Sequence, residues 1–262
     1  MATQTASSPT LESATKRQIT NIVALGAVLT INALANILPI NGRTAGEISD
    51  SFPSLFTPAG YVFSIWGLIY LLLIAFVVYQ ALPSQKNNPR LEQLGYAFAV
   101  SCTFNFAWIF AWHYGVIWLS ELLIVGLLVS LIVCYNRLEI GKTLTSNASV
   151  SWAETLSTRL TFSIYLGWLT VATVANTSVT LLEYGATGGW LAPLWTVIAI
   201  SAAVGIGYLM LKNRGDAAFN GVLIWALLGI AVEQWGSELL VVVGALVAAA
   251  LVAYLIAQTF EA

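Results

Sequence analysis

Residues 59–82 read AGYVFSIWGLIYLLLIAFVVYQAL: 24 positions without a charged side chain, held between Pro58 and Pro83. A helix rises 1.5 Å per residue, so this run would be about 36 Å long and would more than cover the ~30 Å hydrocarbon core of a bilayer. Working outward, seven further stretches are comparably apolar: 18–38, 93–113, 116–136, 160–182, 191–211, 217–235 and 237–257. Unpaired backbone groups are not tolerated in lipid, so the spans are expected as helices; the short alternating segments of a barrel are missing. The chain is 58% hydrophobic and only 8% charged, with a mean hydropathy of +0.83, far outside the range of a soluble domain. The sequence therefore predicts an all-α membrane protein of eight transmembrane helices. In 262 residues that leaves no room for a separate soluble domain.

The basic residues set the topology. Threading the stretches alternately collects Lys16, Arg17, Lys86, Arg90, Arg137, Lys142, Arg159, Lys212 and Arg214 on one side and leaves only Arg43 on the other. Cytoplasmic loops carry the excess of Lys and Arg, so both termini are expected to be cytoplasmic, in a bacterial cytoplasmic membrane. These residues belong to loops, so the net charge of −2 gives no ground for nucleic-acid binding. Residues 1–16 are polar and rich in Ser and Thr, and are expected as a disordered tail. Lys16 and Arg17 before an apolar run, with Ala33-Leu34-Ala35 downstream, also admit a cleaved signal peptide. The length of the run and its Asn32 and Asn36 favour a retained span.

Several chemistries find no support. Cys102 and Cys134 lie in separate spans without metal-ligand spacing, and read as small buried residues. His113 ends the third span; an axial haem ligand is imaginable, but an interfacial histidine reaching toward water is the simpler expectation. All four lysines lie in loops or just before the first span, which excludes a retinal Schiff base in mid-membrane. No HExxH, GxSxG, P-loop or paired-carboxylate motif appears, so neither a catalytic residue nor a metal site is expected.

Polar side chains in lipid need partners, which makes the buried amides informative. Asn32 and Asn36 share one face of the first helix, Asn105 lies in the third and Asn176 in the fifth. Counting rise from the helix ends places all four in the outer half or near the middle of the bilayer. Trp66 and Tyr70, one turn apart, and Trp108 and Trp168 fall in the same zone. For any one of these residues, helix–helix packing is a sufficient account. Together, aromatic faces beside a few amides suit a flat, largely apolar ligand. Trp118 and Trp190, at helix mouths, are assigned to the interfacial belt. Glu121 and Glu238 read as first-turn carboxylates favoured by the helix dipole. Glu233, at a helix C-terminus where the dipole disfavours it, is the better candidate for pairing.

These residues carry a resemblance. Thr57-Pro58-Ala59-Gly60-Tyr61-Val62-Phe63-Ser64-Ile65-Trp66-Gly67-Leu68-Ile69-Tyr70 resembles the second-helix signature of the TspO/MBR family, the tryptophan-rich sensory or translocator proteins. Asn105-Phe106-Ala107-Trp108 resembles that family's third-helix Asn-x-x-Trp. Tyr165-Leu166-Gly167-Trp168 with Ala172, Thr173 and Asn176 resembles its fifth-helix pattern. The resemblance covers residues 17–182, the family's five-helix body, and leaves residues 183–262 as a three-helix C-terminal extension without a counterpart in that body. Ala59 and Ile164 stand where the family commonly has proline. The resemblance implies a bundle that binds porphyrins, with Trp66, Tyr70, Asn105, Trp108, Trp168 and Ala172 lining the pocket and residues 39–57 forming a lid.

The expectation is thus a membrane binding or sensory protein for planar hydrophobic ligands. It would hold a tetrapyrrole as ligand rather than as a required cofactor, act as no enzyme, and leave a homo-oligomer open. A transporter of a small hydrophobic or amphipathic solute is the alternative, weakened by the lack of interrupted helices in two matching halves. Porphyrin degradation is a third possibility. Pro39, Gly42, Gly46 and Pro53 predict a structured but mobile lid. Within it Arg43 is expected to pair with Glu47, Asp50 or Glu233 and hold the lid closed.

Overall fold

The computed structural model describes residues 11–38, 40–141 and 151–261. Residues 1–10 of the expected tail, Pro39 of the lid and Lys142 of the third basic loop lie outside them. Among the described residues each apolar stretch is a helix: α1 Leu11–Ile37, α2 Ile65–Ala81, α3 Ala97–His113, α4 Ile117–Arg137, α5 Thr161–Glu183, α6 Leu191–Arg214, α7 Ala217–Glu233 and α8 Leu239–Glu261. A 3-10 turn, Gly60–Ser64, leads into α2, and a π-helical turn, Thr155–Leu160, leads into α5. Six of these helices, counting the turns, are long and apolar enough to cross a membrane: α1, α2, α4, α5, α6 and α8. The other two, α3 and α7, have 17 residues each.

Three departures from the sequence reading have local causes. Residues 11–16 are not tail but the first turns of α1, where a Lys16–Glu12 pair at 2.6 Å spans one turn. The third helix starts at Ala97 rather than 93, because Gly95 sits at φ 57 and separates it from the short helix Pro89–Leu94. Positive φ at Gly236 falls just beyond the early end of α7.

Hydrogen bonds gather the basic residues at one end of the bundle, as alternate threading requires. Arg17 Nη2 donates to the Lys86 carbonyl at 3.4 Å, Arg137 Nη1 to that of Leu94 at 3.2 Å and Arg214 Nη1 to that of Ile140 at 3.1 Å. Arg90 and Glu154 form a half-buried ion pair there. Arg43 lies at the opposite end, on the connection between α1 and α2.

Five helices close a ring. α1 packs on α2 and α3, α3 on α4, α4 on α5, and α5 returns to α2. Toward the basic end the ring is filled by Phe76, Phe98 and Phe162, each at most 1% exposed, with ring centroids 5.0–6.0 Å apart in edge-to-face contact. α7 docks on α5 and on the Gly60–Ser64 turn, and α6 and α8 pack against α7. The approach is close enough to require glycine: a methyl group on Gly229 would overlap Val62, and one on Gly167 would lie 2.9 Å from the Phe219 carbonyl oxygen. α7 also adds hydrogen bonds to the irregular start of α2. The Ala59 N–H donates to the Gly229 carbonyl at 3.1 Å, and Trp225 Nε1 donates to the Val62 carbonyl at 3.1 Å. Asp216 caps α7, accepting from the Phe219 N–H at 2.9 Å, and also from Tyr135 at 2.7 Å and Ser163 at 2.6 Å. One buried apolar cluster runs from α1 to α8, so five helices and three helices are a count of elements and not two separate cores. Cys102 and Cys134 are buried and free, in the packing role their surroundings suggested.

Candidate functional site

Toward the lid end the ring does not fill. A cavity of about 340 Å³ lies between α1, α2, α3, α4 and α5 beneath the lid, a size within the usual range of small-molecule sites. The reason is visible in the side chains. Indoles and amides replace the phenyl rings of the other end, and Trp108, Trp112 and the amides meet polar partners as well as pack.

Trp66 is the hub of one wall. It stacks on Tyr70, one turn along α2, at 5.6 Å and 25°, and meets Trp168 edge-on at 6.2 Å and 86°. Phe63 meets Trp168 in the same way at 5.8 Å. Trp168 is 1% exposed and its indole N–H has no hydrogen-bond partner. The facing wall is Trp108, stacked on Trp112 at 5.7 Å and 17°. Ala172 on α5 leaves room between the two walls.

Eight of the nine predicted ligand residues line the cavity: Asn32, Asn36, Trp66, Tyr70, Trp108, Trp168, Ala172 and Asn176. Asn105 does not. It is 2% exposed behind the wall, where it accepts from Asn32 Nδ2 at 3.0 Å and donates to the Tyr165 hydroxyl at 3.1 Å, tying α1, α3 and α5 together. The other amides are also committed. Asn36 Nδ2 donates to the Asn32 carbonyl at 2.8 Å, and Asn176 accepts from Trp108 Nε1 at 3.1 Å while donating to Glu121 at 2.9 Å. The expectation that amides would face a ligand's polar edges therefore changes. Asn32, Asn105 and Asn176 are braces between helices, Asn36 bonds back within α1, and the cavity surface is mainly aromatic and aliphatic. Glu121, expected as a plain first-turn carboxylate, is part of that bracing.

The lid is a short helix, Ala45–Asp50, started by a capping box in which Thr44 and Glu47 bond reciprocally. Those bonds hold the Glu47 carboxyl below the usual carboxylate range. Ala45, Gly46 and Ser49 face the cavity, and Ile48 is buried against Trp112, Ile117 and Val179. Arg43, Glu47 and Asp50 are exposed and point elsewhere. Among the described residues Arg43 forms no ion pair: Glu47 Oε2 accepts from the Thr44 N–H and hydroxyl at 2.7 and 3.0 Å, and Arg43 acts on that carboxyl only at longer range; Glu233 is exposed at its helix end and likewise forms none. The lid is fastened by Trp112 Nε1 donating to the Ala45 carbonyl at 3.2 Å and by Asn41 Nδ2 donating to the His113 carbonyl at 3.1 Å. His113 does not reach toward water: it is 1% exposed, with Nδ1 2.8 Å from the Ile109 carbonyl. It lies beneath the lid connection and outside the cavity lining, so it offers no axial ligand there.

Sequence reasoning missed Phe63 and Trp112, and within the lid it placed at residues 39–57 it did not single out Ala45, Gly46 and Ser49 as facing the cavity. Two of these had a signal, because Trp112 is one turn beyond Trp108 and Phe63 one turn before Trp66. The lid residues had none, since small side chains in a loop mark nothing by themselves. Trp118 and Trp190 are exposed at helix ends, as the belt assignment expected.

An aromatic cavity inside a bundle of long apolar helices defines an integral, multi-pass membrane protein. The model of the family described as TSPO-like protein matches residues 18–258, and the chain belongs to that family. The match runs through α6, α7 and α8 as well as the five helices that carry the motifs. No curated protein matches the chain, and no solved structure does.

Proposed function

We propose that this TSPO-like protein binds porphyrins or similar planar hydrophobic ligands in the cavity beneath its lid, as a binding or sensory protein and without chemistry on the ligand. The observation that carries the reading is the pair of opposed aromatic walls, Trp66 with Tyr70 and Trp168 on one side and Trp108 with Trp112 on the other, around an unfilled volume. Stacking against flat rings supplies contact area at little conformational cost. All eight long helices are proposed to cross the membrane with both termini in the cytoplasm, in keeping with the basic end of the bundle.

Titration with protoporphyrin IX in detergent, followed by quenching of tryptophan fluorescence, tests the ligand reading. Trp66→Ala, which removes the hub from a half-buried position, should weaken binding by about tenfold or more. Trp168→Phe, which keeps a buried ring and removes only the N–H, should weaken it less. A folded Trp66→Ala variant with parental affinity would reject the site.

A further inference from the structure

We propose that Glu121 is a positioning residue, which fixes the Trp108 wall of the cavity by holding Asn176 in one orientation. This rests on the cavity being a ligand site.

The Asn176 amide stands between two groups of single polarity. An indole N–H can only donate and an ionised carboxylate can only accept. Trp108 Nε1 donates to Asn176 Oδ1 at 3.1 Å, and Asn176 Nδ2 donates to Glu121 Oε2 at 2.9 Å and to Ser120 Oγ at 3.2 Å. The Ser120 hydroxyl hydrogen goes to the Ile117 carbonyl at 2.8 Å, which leaves its oxygen free to accept. The second carboxylate oxygen, Glu121 Oε1, lies 2.7 Å from the Thr177 hydroxyl, one residue further along α5. Glu121 thus grips α5 at two consecutive residues. Turning the amide over would set oxygen against oxygen at Glu121 and N–H against N–H at Trp108, so only the observed orientation satisfies both neighbours.

The helix dipole does not account for this placement. Glu121 is the fifth residue of α4, and dipole stabilisation fades beyond the first turn. Its consequence lies in the cavity wall. With Nε1 tied, the Trp108 ring is held in place and Trp112 stacks on it, so the ligand meets a surface ordered in advance. The two indoles of that wall have no donor left to offer, which limits recognition by them to ring faces.

A charge-exchange cycle read by protoporphyrin IX quenching and by thermal midpoint in detergent tests the assignment. Asn176→Asp sets two carboxylates face to face, and should lower the midpoint and weaken protoporphyrin binding by about tenfold. Glu121→Gln alone should cost about threefold or less, because its amide oxygen still accepts. Combining Glu121→Gln with Asn176→Asp exchanges the two groups. The amide now on α4 donates to the carboxylate now on α5, whose other oxygen still accepts from Trp108. Midpoint and affinity should then both recover to within about threefold of the parent. Repeating the cycle on Trp108→Phe should keep the recovery in midpoint and abolish the recovery in affinity. Glu121→Ala, which frees the amide to turn, should lower affinity severalfold and serves if Asn176→Asp does not fold. A double variant as weak as Asn176→Asp overturns the assignment, and so does affinity recovery that persists on Trp108→Phe. Recovery of midpoint alone on the parent overturns the positioning role and leaves Glu121 a brace. A parent protein that binds no protoporphyrin rejects the ligand reading itself, and the midpoint cycle then shows separately whether Glu121 holds Asn176.

Discussion

The two ends of the five-helix ring use aromatic side chains in opposite ways. Toward the basic end Phe76, Phe98 and Phe162 interlock edge to face and leave no space. Toward the lid Trp66, Trp108, Trp112 and Trp168 surround a cavity of about 340 Å³. Phenyl rings have no polar atom to satisfy and are free to settle wherever contact is best. An indole must aim its N–H, and Trp108 and Trp112 are aimed by Asn176 and the Ala45 carbonyl. Trp108 and Trp112, held by these bonds, are not free to collapse toward the other wall, so the polar braces help keep the cavity open. Stability is therefore expected to reside at one end and binding at the other.

The largest effect should come from breaking the filled end. Phe162→Ala removes a ring that is 1% exposed, and should destabilise the fold by about 3–5 kcal/mol. Denaturant unfolding in detergent measures it, and the folded fraction should keep its protoporphyrin affinity. A smaller effect is expected at the open end, where Trp112→Phe removes a lid hydrogen bond while keeping a ring against Trp108. Ligand release in a stopped-flow measurement should quicken about three- to tenfold with little change in stability. Arg43→Ala should leave release unchanged within error, since its side chain is exposed and unpaired among the described residues; faster release would restore it as a latch.

The smallest effect concerns pH. The Glu47 carboxyl is held low by its bonds to Thr44, so its contribution to the lid helix is present above the ordinary carboxylate range and is lost as pH falls through the depressed folded value. Release should quicken slightly below about pH 4, and Glu47→Gln should flatten that dependence. An unchanged pH profile in Glu47→Gln would assign the effect to another group.

Much of this division could be read before the fold was known. Apolar length found the eight helices, with most ends within four residues; helical rise put Trp66, Tyr70, Trp108 and Trp168 in one zone, and the family resemblance added Ala172. Pairing was not legible. A sequence shows that Asn105 is polar and buried in lipid, but not that Asn32 and Tyr165 converge on it from two other helices. Arg43 and Glu47 were read as opposite charges that should meet. The capping box between Thr44 and Glu47, a local bond three residues long, was the stronger claim on that carboxylate. Gly95 is equally instructive, because the apolar stretch was read from residue 93 while its positive φ ends one helix there and delays the next to Ala97. The docking of α7 left the weakest trace, since Gly229 marks a close approach without naming the neighbour.

That docking has a consequence for how the protein is made. The irregular turn that enters α2 carries Phe63 and Trp66 on its way into the bundle. Yet the Ala59 N–H finds its partner on α7, and the Val62 carbonyl, which the Ile65 N–H already meets, gains a second one there. Gly229 follows Ala59 by 170 residues, which at ~5–20 residues per second is roughly ten to thirty seconds of translation. Throughout that interval the Ala59 N–H lacks its α7 acceptor. The cavity is walled by helices made early, while the contact that steadies the entry to α2 arrives only with the seventh helix.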